Sequence, residues 1–134
     1  MQAVIYQGEG AEVVDDVELG DLRPGEVQVA IQAAGLCHSD VSVLDGTIPY
    51  LTPCVLGHEG AGIVEAVGND VTNVAPGDFV ILNWRAVCGE CRSCKRGRPW
   101  YCFATHNATQ KMTLDGVELS PALGIGAFAE KTLV

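Results

Sequence analysis

Apolar and polar residues alternate over short stretches along much of this chain, and a period of two residues predicts strands rather than helices. Val27, Val29 and Ile31 alternate with polar or small residues, and the strand that they begin is expected to run on to Gly35. The predicted strands cover residues 3–6, 11–18, 27–35, 61–67, 79–83 and 127–134. The strand over 79–83 is expected to be buried.

Turns and one short helix separate these strands. Pro24 and Gly25 lie at the centre of a turn over residues 22–26, and residues 75–78 read Ala-Pro-Gly-Asp, a second turn. Residues 39–44 are expected to form one short helix with Ser39 as its N-cap. Since no segment shows a long period of 3.6 residues, the pattern predicts a mainly β fold, a partly open barrel with short helices.

Composition is consistent with one folded domain. The chain has 134 residues, of which 48% are apolar and 19% charged, a globular rather than a disordered composition. No apolar run approaches the length of a membrane span. The N-terminal sequence MQAVIYQGEG lacks a basic leader followed by an apolar stretch, so no secretory signal is expected. We therefore predict a cytoplasmic location, where thiols stay reduced.

Charge is unevenly distributed. The formal net charge of −9 argues against general affinity for nucleic acid or an anionic membrane, because phosphate would be repelled. Yet five of the eight basic residues lie between Arg85 and Arg98, around a group of four cysteines. We refer to residues 85–105 as the cysteine lobe.

The cysteine lobe has the ligand spacing of a zinc site. Cys88, Cys91, Cys94 and Cys102 follow the pattern C-x2-C-x2-C-x7-C, which supplies four soft ligands for a tetrahedral ion. With all four positions filled by protein, zinc there would be structural. Disulfides are disfavoured by the close spacing and the reducing compartment. Four free thiols are the simplest alternative.

A zinc ribbon that grips nucleic acid is a further alternative for the cysteine lobe. The acidic remainder of the chain and a lack of aromatic residues interleaved with the cations argue against it.

A second set of metal-capable residues lies in GLCHSD (35–40) and GHEGAGIVEAVG (57–68). Cys37 and His58 are a soft ligand pair, Asp40 could accept a hydrogen bond from the second nitrogen of His58, and Ser39 carries a nearby hydroxyl. Taken alone, the pattern is weak, because a lone histidine is more often structural and a lone cysteine more often packs in the core.

The order and spacing of four motifs resemble the zinc-dependent medium-chain alcohol dehydrogenases: GLCHSD, GHEGAGIVEAVG, PGDFVILNW and the four-cysteine loop. The chain resembles the N-terminal GroES-like catalytic domain of that family over residues 1–134. The runs NWRAVCGECRSCKRGRP, QKMTLDG and ALGIGAFAEKTLV are most similar to the thiol-dependent formaldehyde dehydrogenase branch, whose members use mycothiol or glutathione.

The resemblance implies ligands for a catalytic zinc. In such enzymes a cysteine, a histidine and a second cysteine hold the metal, and water or substrate takes the fourth place. By motif match the first cysteine is Cys37 and the histidine is His58. Glu59 would lie beside the metal as an occasional ligand.

The same resemblance implies roles for four further residues. Ser39 would take the alcohol proton, Asp40 would orient His58, His38 would face the pyrophosphate of the nicotinamide cofactor, and Trp84 would line the substrate pocket. The reaction would be oxidation of an alcohol, or of the hydroxymethyl adduct of a small thiol, by hydride transfer to NAD(P).

Parts of the family pattern are absent from these 134 residues. The family's third catalytic ligand would lie beyond the last strand, since the final cysteine, Cys102, already belongs to the four-cysteine loop. No G-x-G-x-x-G follows a strand, since the glycines of LGIGAF (123–128) lack a following helix. We expect a piece of a longer enzyme without its Rossmann coenzyme domain, inactive alone, with a full structural zinc site, a weak catalytic one, and self-association through an apolar face. Cys54 is expected to be core packing and His106 a surface or loop residue. The alternative function is a non-enzymatic GroES-like module that binds zinc and a partner protein.

Overall fold

The computed structural model describes residues 1–85, 87–104 and 111–134, and over these residues the chain is built mainly of strands. The strands are β1 (Ala3–Tyr6), β2 (Ala11–Val14), β3 (Glu18–Leu19), β4 (Val27–Gly35), β5 (Cys54–Val55), β6 (Glu59–Val67), β7 (Phe79–Ile81), β8 (Met112–Leu114), β9 (Val117–Pro121) and β10 (Lys131–Leu133). The helices are α1 (His38–Leu44) and α2 (Arg92–Lys95), and 3-10 turns cover Pro99–Tyr101 and Ala122–Gly124. The predicted mainly β class is confirmed.

The strands form two sheets. One has six strands in the order β2-β1-β5-β9-β8-β3, and the other has four in the order β10-β4-β6-β7. The pairing of β4 with β6 is the longest and is antiparallel, with register irregularities between Gln28 and Val29 and between Ile31 and Ala33. Such bulges bend and twist a sheet, which lets this one curl into part of a barrel.

Residues 127–130 join the two sheets. The N–H of Val4 in β1 donates to the carbonyl of Phe128 at 2.7 Å, and the N–H of Glu130 donates to the carbonyl of Gln2 at 3.0 Å. On the other side, the N–H of Ile31 in β4 donates to the carbonyl of Glu130 at 2.9 Å. This segment therefore closes one side of the barrel and leads directly into β10.

The core has two parts. The first is made of apolar side chains from strands of the larger sheet, among them Ile5, Val55, Met112 and Leu119. The second contains Tyr6, Val43, Cys54 and Leu56 and anchors α1. Cys54 is fully buried, as predicted, and burial raises the pKa of its thiol to about 11, so it packs as an inert apolar group.

Two predicted strands differ from those observed. Residues 11–18 divide into β2 and β3, because Val17 turns into the core and exchanges backbone hydrogen bonds with Met1. The strand predicted over 79–83 ends at Ile81, and the expectation that it is buried was wrong. Phe79 is 63% exposed and Ile81 82% exposed, because β7 is the terminal strand of its sheet.

The other predicted boundaries shift less. The strand predicted over 3–6 and that over 27–35 match β1 and β4, whereas β6 begins two residues before the predicted position 61. The strand predicted over 127–134 is regular only in β10. Its first residues instead form the junction between the sheets.

Three strands were not predicted. β5 has two residues, and β8 and β9 form a hairpin across Asp115 and Gly116, both at positive φ (50° and 77°). Asp-Gly between two apolar runs is a recognised sign of this hairpin, so the sequence did contain the information. The described residues include no helix with the length and hydrophobicity needed to cross a bilayer.

Close approach of β4 and β6 yields a testable prediction. A Cβ added at Gly62 would overlap the carbonyl oxygen of Ala30 and lie 2.8 Å from Cγ1 of Val29. We expect Gly62→Ala to lower the free energy of unfolding by about 1–3 kcal/mol, because the backbone of β4 must move. Chemical denaturation measures this value.

Gly25→Ala is the matched control. A Cβ at Gly25 meets nothing within 4 Å, and its φ is not positive, so stability should be unchanged or slightly raised. Equal stability of the two variants would contradict the packing described here.

Candidate metal centres

The first centre is built around the start of α1. The helix begins at His38, so that Cys37 is its N-cap, with φ −85° and ψ 151°. The prediction that Ser39 is the N-cap was wrong: the carboxylate of Asp40 accepts the backbone N–H of Cys37 at 3.1 Å, and this bond fixes the helix start two residues earlier. Cys37 and Ser39 are therefore held in the first turn.

Gly57 places the second element of this centre. Its N–H donates to Oδ1 of Asp40 at 3.2 Å, and its carbonyl accepts the N–H of Ala127 at 2.8 Å. Its φ is +88°, and an added Cβ would lie 2.6 Å from Cδ1 of Phe128. Only glycine fits this conformation and this space, so the residue before His58 has one backbone path.

His58 lies between Asp40 and Ser39. Its Nδ1 is 3.5 Å from Oδ1 of Asp40, and its Nε2 is 3.3 Å from Oγ of Ser39. His58 is 7% exposed and Asp40 2% exposed. Because the carboxylate is beside Nδ1, Nε2 is the nitrogen that remains for a metal or a hydroxyl. The predicted contact of Asp40 with His58 is present in this geometry.

Cys37, His58 and Glu59 form a donor set. One ligand atom from each lies within 4.8 Å of the other two. A thiolate, an imidazole and a carboxylate are the ligand types that zinc accepts, and three protein donors leave a fourth position open. The residues thus fit a catalytic rather than a structural zinc, and the two motifs do meet in space.

An open cleft of about 680 Å³ lies beside this donor set. His58 and Glu59 contribute to its wall, and Ile81, Leu82 and Trp84 form another part of it. Trp84 therefore lies in the wall of the same cleft as His58 and Glu59.

A second cavity, of about 150 Å³, was missed by the sequence analysis. It is almost wholly apolar and touches Ser39 and His58, and its other lining residues include Ile48, Tyr50, Leu56 and Leu123. The hydroxyl of Tyr50 accepts the N–H of Leu123 at 2.9 Å. No periodicity pointed to these residues, because they come from separate loops that meet only in the folded chain.

The four cysteines of the cysteine lobe form the second centre. Their sulfur atoms all lie within 4.8 Å of one another, with 3.5 Å between Cys91 and Cys94 and 3.6 Å between Cys88 and Cys102. A tetrahedron with zinc–sulfur bonds of about 2.3 Å places the sulfurs about 3.8 Å apart. The four side chains therefore fit one zinc ion.

Backbone groups prepare some of these thiols for a metal. The N–H groups of Cys94 and Phe103 lower the pKa of the Cys91 thiol to about 6. The pKa of Cys102 is also lowered, chiefly by the N–H of Cys88, whereas lost hydration among the other sulfurs raises that of Cys94. Since zinc binds thiolates, donors aimed at the sulfurs favour metal uptake.

The surface of the cysteine lobe corrects one expectation. Aromatic residues were expected to be absent among the cations, but the guanidinium of Arg92 lies 5.8 Å from the ring centroid of Phe103. The rings of Trp100 and Tyr101, which precede Phe103 in the sequence, pack against each other at a tilt.

His38 is exposed at the first position of α1. His106 lies outside the described residues.

Comparison with known proteins identifies the family and relatives of this chain. Residues 23–134 match the family model described as "Alcohol dehydrogenase GroES-like domain". The chain is 38% identical over 142 residues to alcohol dehydrogenase class-3 of Drosophila melanogaster, covering 98% of this chain and 38% of the relative. It is 36% identical over 143 residues to S-(hydroxymethyl)glutathione dehydrogenase of Saccharomyces cerevisiae, covering 98% and 37%.

Solved structures agree with these relatives. An alcohol dehydrogenase zinc-binding domain protein from Burkholderia ambifaria superposes with a TM-score of 0.85 at 34% identity, over 99% of this chain and 39% of that one. Benzyl alcohol dehydrogenase from Acinetobacter calcoaceticus gives 0.83 at 30% identity, over 98% and 38%. The chain spans about 38% of the length of the curated relatives that it matches.

The double role of Asp40 leads to a prediction for stability. Asp40→Ala removes the acceptor of two N–H groups, those of Cys37 and the buried Gly57. We expect a loss of about 2–5 kcal/mol, since each unpaired buried donor costs about 1–3 kcal/mol. Asp40→Asn keeps one acceptor oxygen and should lose less, in the same denaturation assay.

Asp45 offers a matched control. Its carboxylate also accepts a backbone N–H, that of Thr47 at 2.8 Å, but it is exposed, so Asp45→Ala should leave the denaturation midpoint nearly unchanged. Similar denaturation midpoints for Asp40→Ala and the unchanged chain would contradict a stabilising role for the hydrogen bonds of Asp40 to Cys37 and Gly57.

Proposed function

Because this chain belongs to the alcohol dehydrogenase GroES-like domain family, we propose that it is the substrate-side domain of a zinc-dependent alcohol dehydrogenase that uses NAD(P). Membership confirms the resemblance drawn from the four motifs and the GroES-like fold class. The proposal concerns the activity of the whole protein, for which these 134 residues would supply the metal and the alcohol site.

One observation carries the proposal. Ligand atoms of Cys37, His58 and Glu59 lie within 4.8 Å of one another, at the wall of a cleft that also contains Trp84. A domain that only bound a partner would not need this incomplete set of metal ligands beside a hydroxyl and an open cleft. The set suits a metal that must keep one position for substrate.

Cys37 and His58 would hold a zinc ion, with Glu59 as an occasional ligand and a further cysteine of the whole protein as the third. When bound, zinc acts as a Lewis acid that lowers the pKa of an alcohol hydroxyl. The neighbouring hydroxyl of Ser39 would accept the alcohol proton and pass it towards solvent. Its distance of 3.3 Å from Nε2 of His58 supports that role.

Asp40 would act as a positioning residue. Its carboxylate faces Nδ1 of His58 at 3.5 Å, which orients the ring and favours Nε2 as the ligand atom. Since the same carboxylate also accepts the N–H groups of Cys37 and Gly57, it ties both motifs of the site together. The chemistry thus depends on one buried carboxylate that does not touch substrate.

Trp84 would pack against the carbon chain of the alcohol in the cleft, and hydride would leave the carbinol carbon for the nicotinamide ring. His38, exposed beside Cys37, would face the cofactor pyrophosphate, and its imidazole could donate a hydrogen bond to phosphate oxygen. The coenzyme would be bound by a Rossmann domain outside these residues.

Cys88, Cys91, Cys94 and Cys102 would hold a structural zinc. With four protein ligands it leaves no open position, and its binding free energy would order the cysteine lobe.

The proposal also concerns the substrate and the cellular location of the protein. The substrate would be the hydroxymethyl adduct of a small thiol, a choice supported by similarity to S-(hydroxymethyl)glutathione dehydrogenase of Saccharomyces cerevisiae. A cytoplasmic location stays a prediction.

A cobalt titration tests the metal sites. We expect about one equivalent to bind tightly to the four cysteines with thiolate-to-cobalt charge-transfer bands, and a second, weaker equivalent to bind at Cys37 and His58. Cys91→Ser should remove the tight phase, and His58→Ala should remove only the weak one. Purified protein should hold about one zinc per chain.

His38→Ala is the control for His58→Ala, since His38 is an exposed neighbour that lies outside the donor set. A titration with no second phase, or a second phase untouched by His58→Ala, would favour a non-enzymatic zinc-binding module instead.

The isolated chain should be inactive. We expect no NADH formation from alcohols or from an S-hydroxymethyl thiol with the 134 residues alone, because they contain no glycine-rich dinucleotide loop. A class-3 alcohol dehydrogenase assayed in parallel controls for the substrates. NADH formation that Ser39→Ala abolishes would show that the coenzyme site was placed wrongly.

A further inference from the structure

The cysteine lobe carries a surface that the metal site does not use. Trp100, Tyr101 and Phe103 are 59%, 61% and 67% exposed, and the helix α2 packs against the 3-10 turn that holds the first two. Arg92 covers the ring of Phe103. Aromatic residues and arginine together are typical of the centres of protein interfaces rather than of free surface.

The cations of this surface form no ion pair within the part of the chain that the structure describes. Residues 85–105 hold five cations and one carboxylate, a net charge of +4, while the rest of the chain holds three cations and sixteen carboxylates, a net charge of −13. The ion pairs among described residues all lie elsewhere. A zinc with four thiolates would add about −2 to the lobe, which would remain positive.

A surface of opposite charge lies at the β2 edge of the six-stranded sheet. We call residues 9–16 the acidic edge: they include β2 and four carboxylates, those of Glu9, Glu12, Asp15 and Asp16. All four are exposed, as is Val13, and none forms an ion pair with another described residue. No lysine or arginine precedes Arg23 in the sequence, and the N-terminal ammonium of Met1 donates to the carbonyl of Val17 at 2.9 Å.

The acidic edge also has backbone groups to offer. β2 pairs only with β1 among the described strands and ends its sheet, so its outer side presents unpaired N–H and C=O groups. Natural proteins cover such edges or protect them with charge. Guanidinium groups match both carboxylate and carbonyl oxygens, and the lobe carries four arginines.

We propose that the cysteine lobe of one chain docks on the acidic edge of a second copy, giving a dimer with two equivalent contacts. The two surfaces carry opposite charge, each contains exposed apolar side chains, and no ion pair among the described residues involves either surface. In a twofold dimer both contacts form at once, so the pairing closes and does not extend into a fibre.

Nucleic acid is the less favoured occupant of the lobe. Cations beside exposed aromatic residues also suit a single strand, but phosphate approaching this chain would meet a net charge of −9. A second copy also carries a net charge of −9, but it would meet the lobe through its acidic edge, where opposite charges face each other.

Charge reversal tests the dimer. Arg96→Glu/Arg98→Glu reverses two exposed charges of the lobe, and Glu12→Lys/Asp16→Lys reverses two of the acidic edge. In sedimentation equilibrium on the zinc-loaded chain, each double variant should weaken dimerisation by about tenfold or more. An equimolar mixture of the two variants, or one chain with all four changes, should restore it.

Salt and a matched variant provide controls. The parent dimer should weaken as salt reduces the Debye length from about 10 Å at 0.1 M to about 3 Å at 1 M. Asp70→Lys/Glu118→Lys changes the net charge by the same amount as Glu12→Lys/Asp16→Lys, but at exposed sites away from the acidic edge. This control variant should leave dimerisation intact. Circular dichroism and zinc content show whether each variant is folded, and the edge variant tests the proposal even if the lobe variant is not.

Three results would overturn the proposal. The parent chain could remain a monomer at all concentrations. The charge reversals could leave association unchanged while Ile81→Ser breaks it, which would place the interface on the apolar face near the cleft. Finally, the chain could bind a labelled single-stranded DNA oligonucleotide in a manner that Arg96→Glu/Arg98→Glu abolishes, without any dimer.

Discussion

The backbone at Gly57 is the constraint on which both the barrel and the first metal centre depend. Its N–H is bound to Asp40 in α1, and its carbonyl is bound to Ala127, in the segment that joins the two sheets. One residue thus connects the helix, the barrel closure and His58. Because its φ is positive and Phe128 fills the space where a Cβ would lie, no other residue fits there without moving one of the three.

The two metal centres are held by different means. The cysteine lobe obtains its four sulfurs from residues 88–102, and its geometry follows from short turns, backbone N–H groups and α2. The donors of the other centre come from the cap of α1 and the start of β6. Residues 38–57 separate them in the sequence, and Asp40 joins them in the fold. A local loop can be filled by its own metal, whereas the centre at Cys37 and His58 requires the barrel to fold first.

Charge separates the chain into two regions as clearly as the fold does. The cations gather in the cysteine lobe and the carboxylates on the barrel, so that the lobe offsets the charge of its thiolates while the barrel stays acidic. This division leaves two surfaces of opposite charge.

The sequence by itself determined the features whose physical basis is local. Alternation predicted β1 and β4, and C-x2-C spacing predicted the four-sulfur cluster, because residues so close along the chain cannot be far apart in space. The motifs around Cys37 and His58 predicted metal ligands, and that assignment stays a prediction.

Only the tertiary structure decided the rest. The exposure of Phe79 and Ile81 depends on β7 being the last strand of its sheet, and strand order is not a local property. The apolar cavity at Tyr50 and Leu123, the meeting of Cys37 with His58, and the closure by residues 127–130 all join segments distant in sequence. Their positions follow from packing and from satisfying buried backbone groups, which no short stretch of sequence specifies.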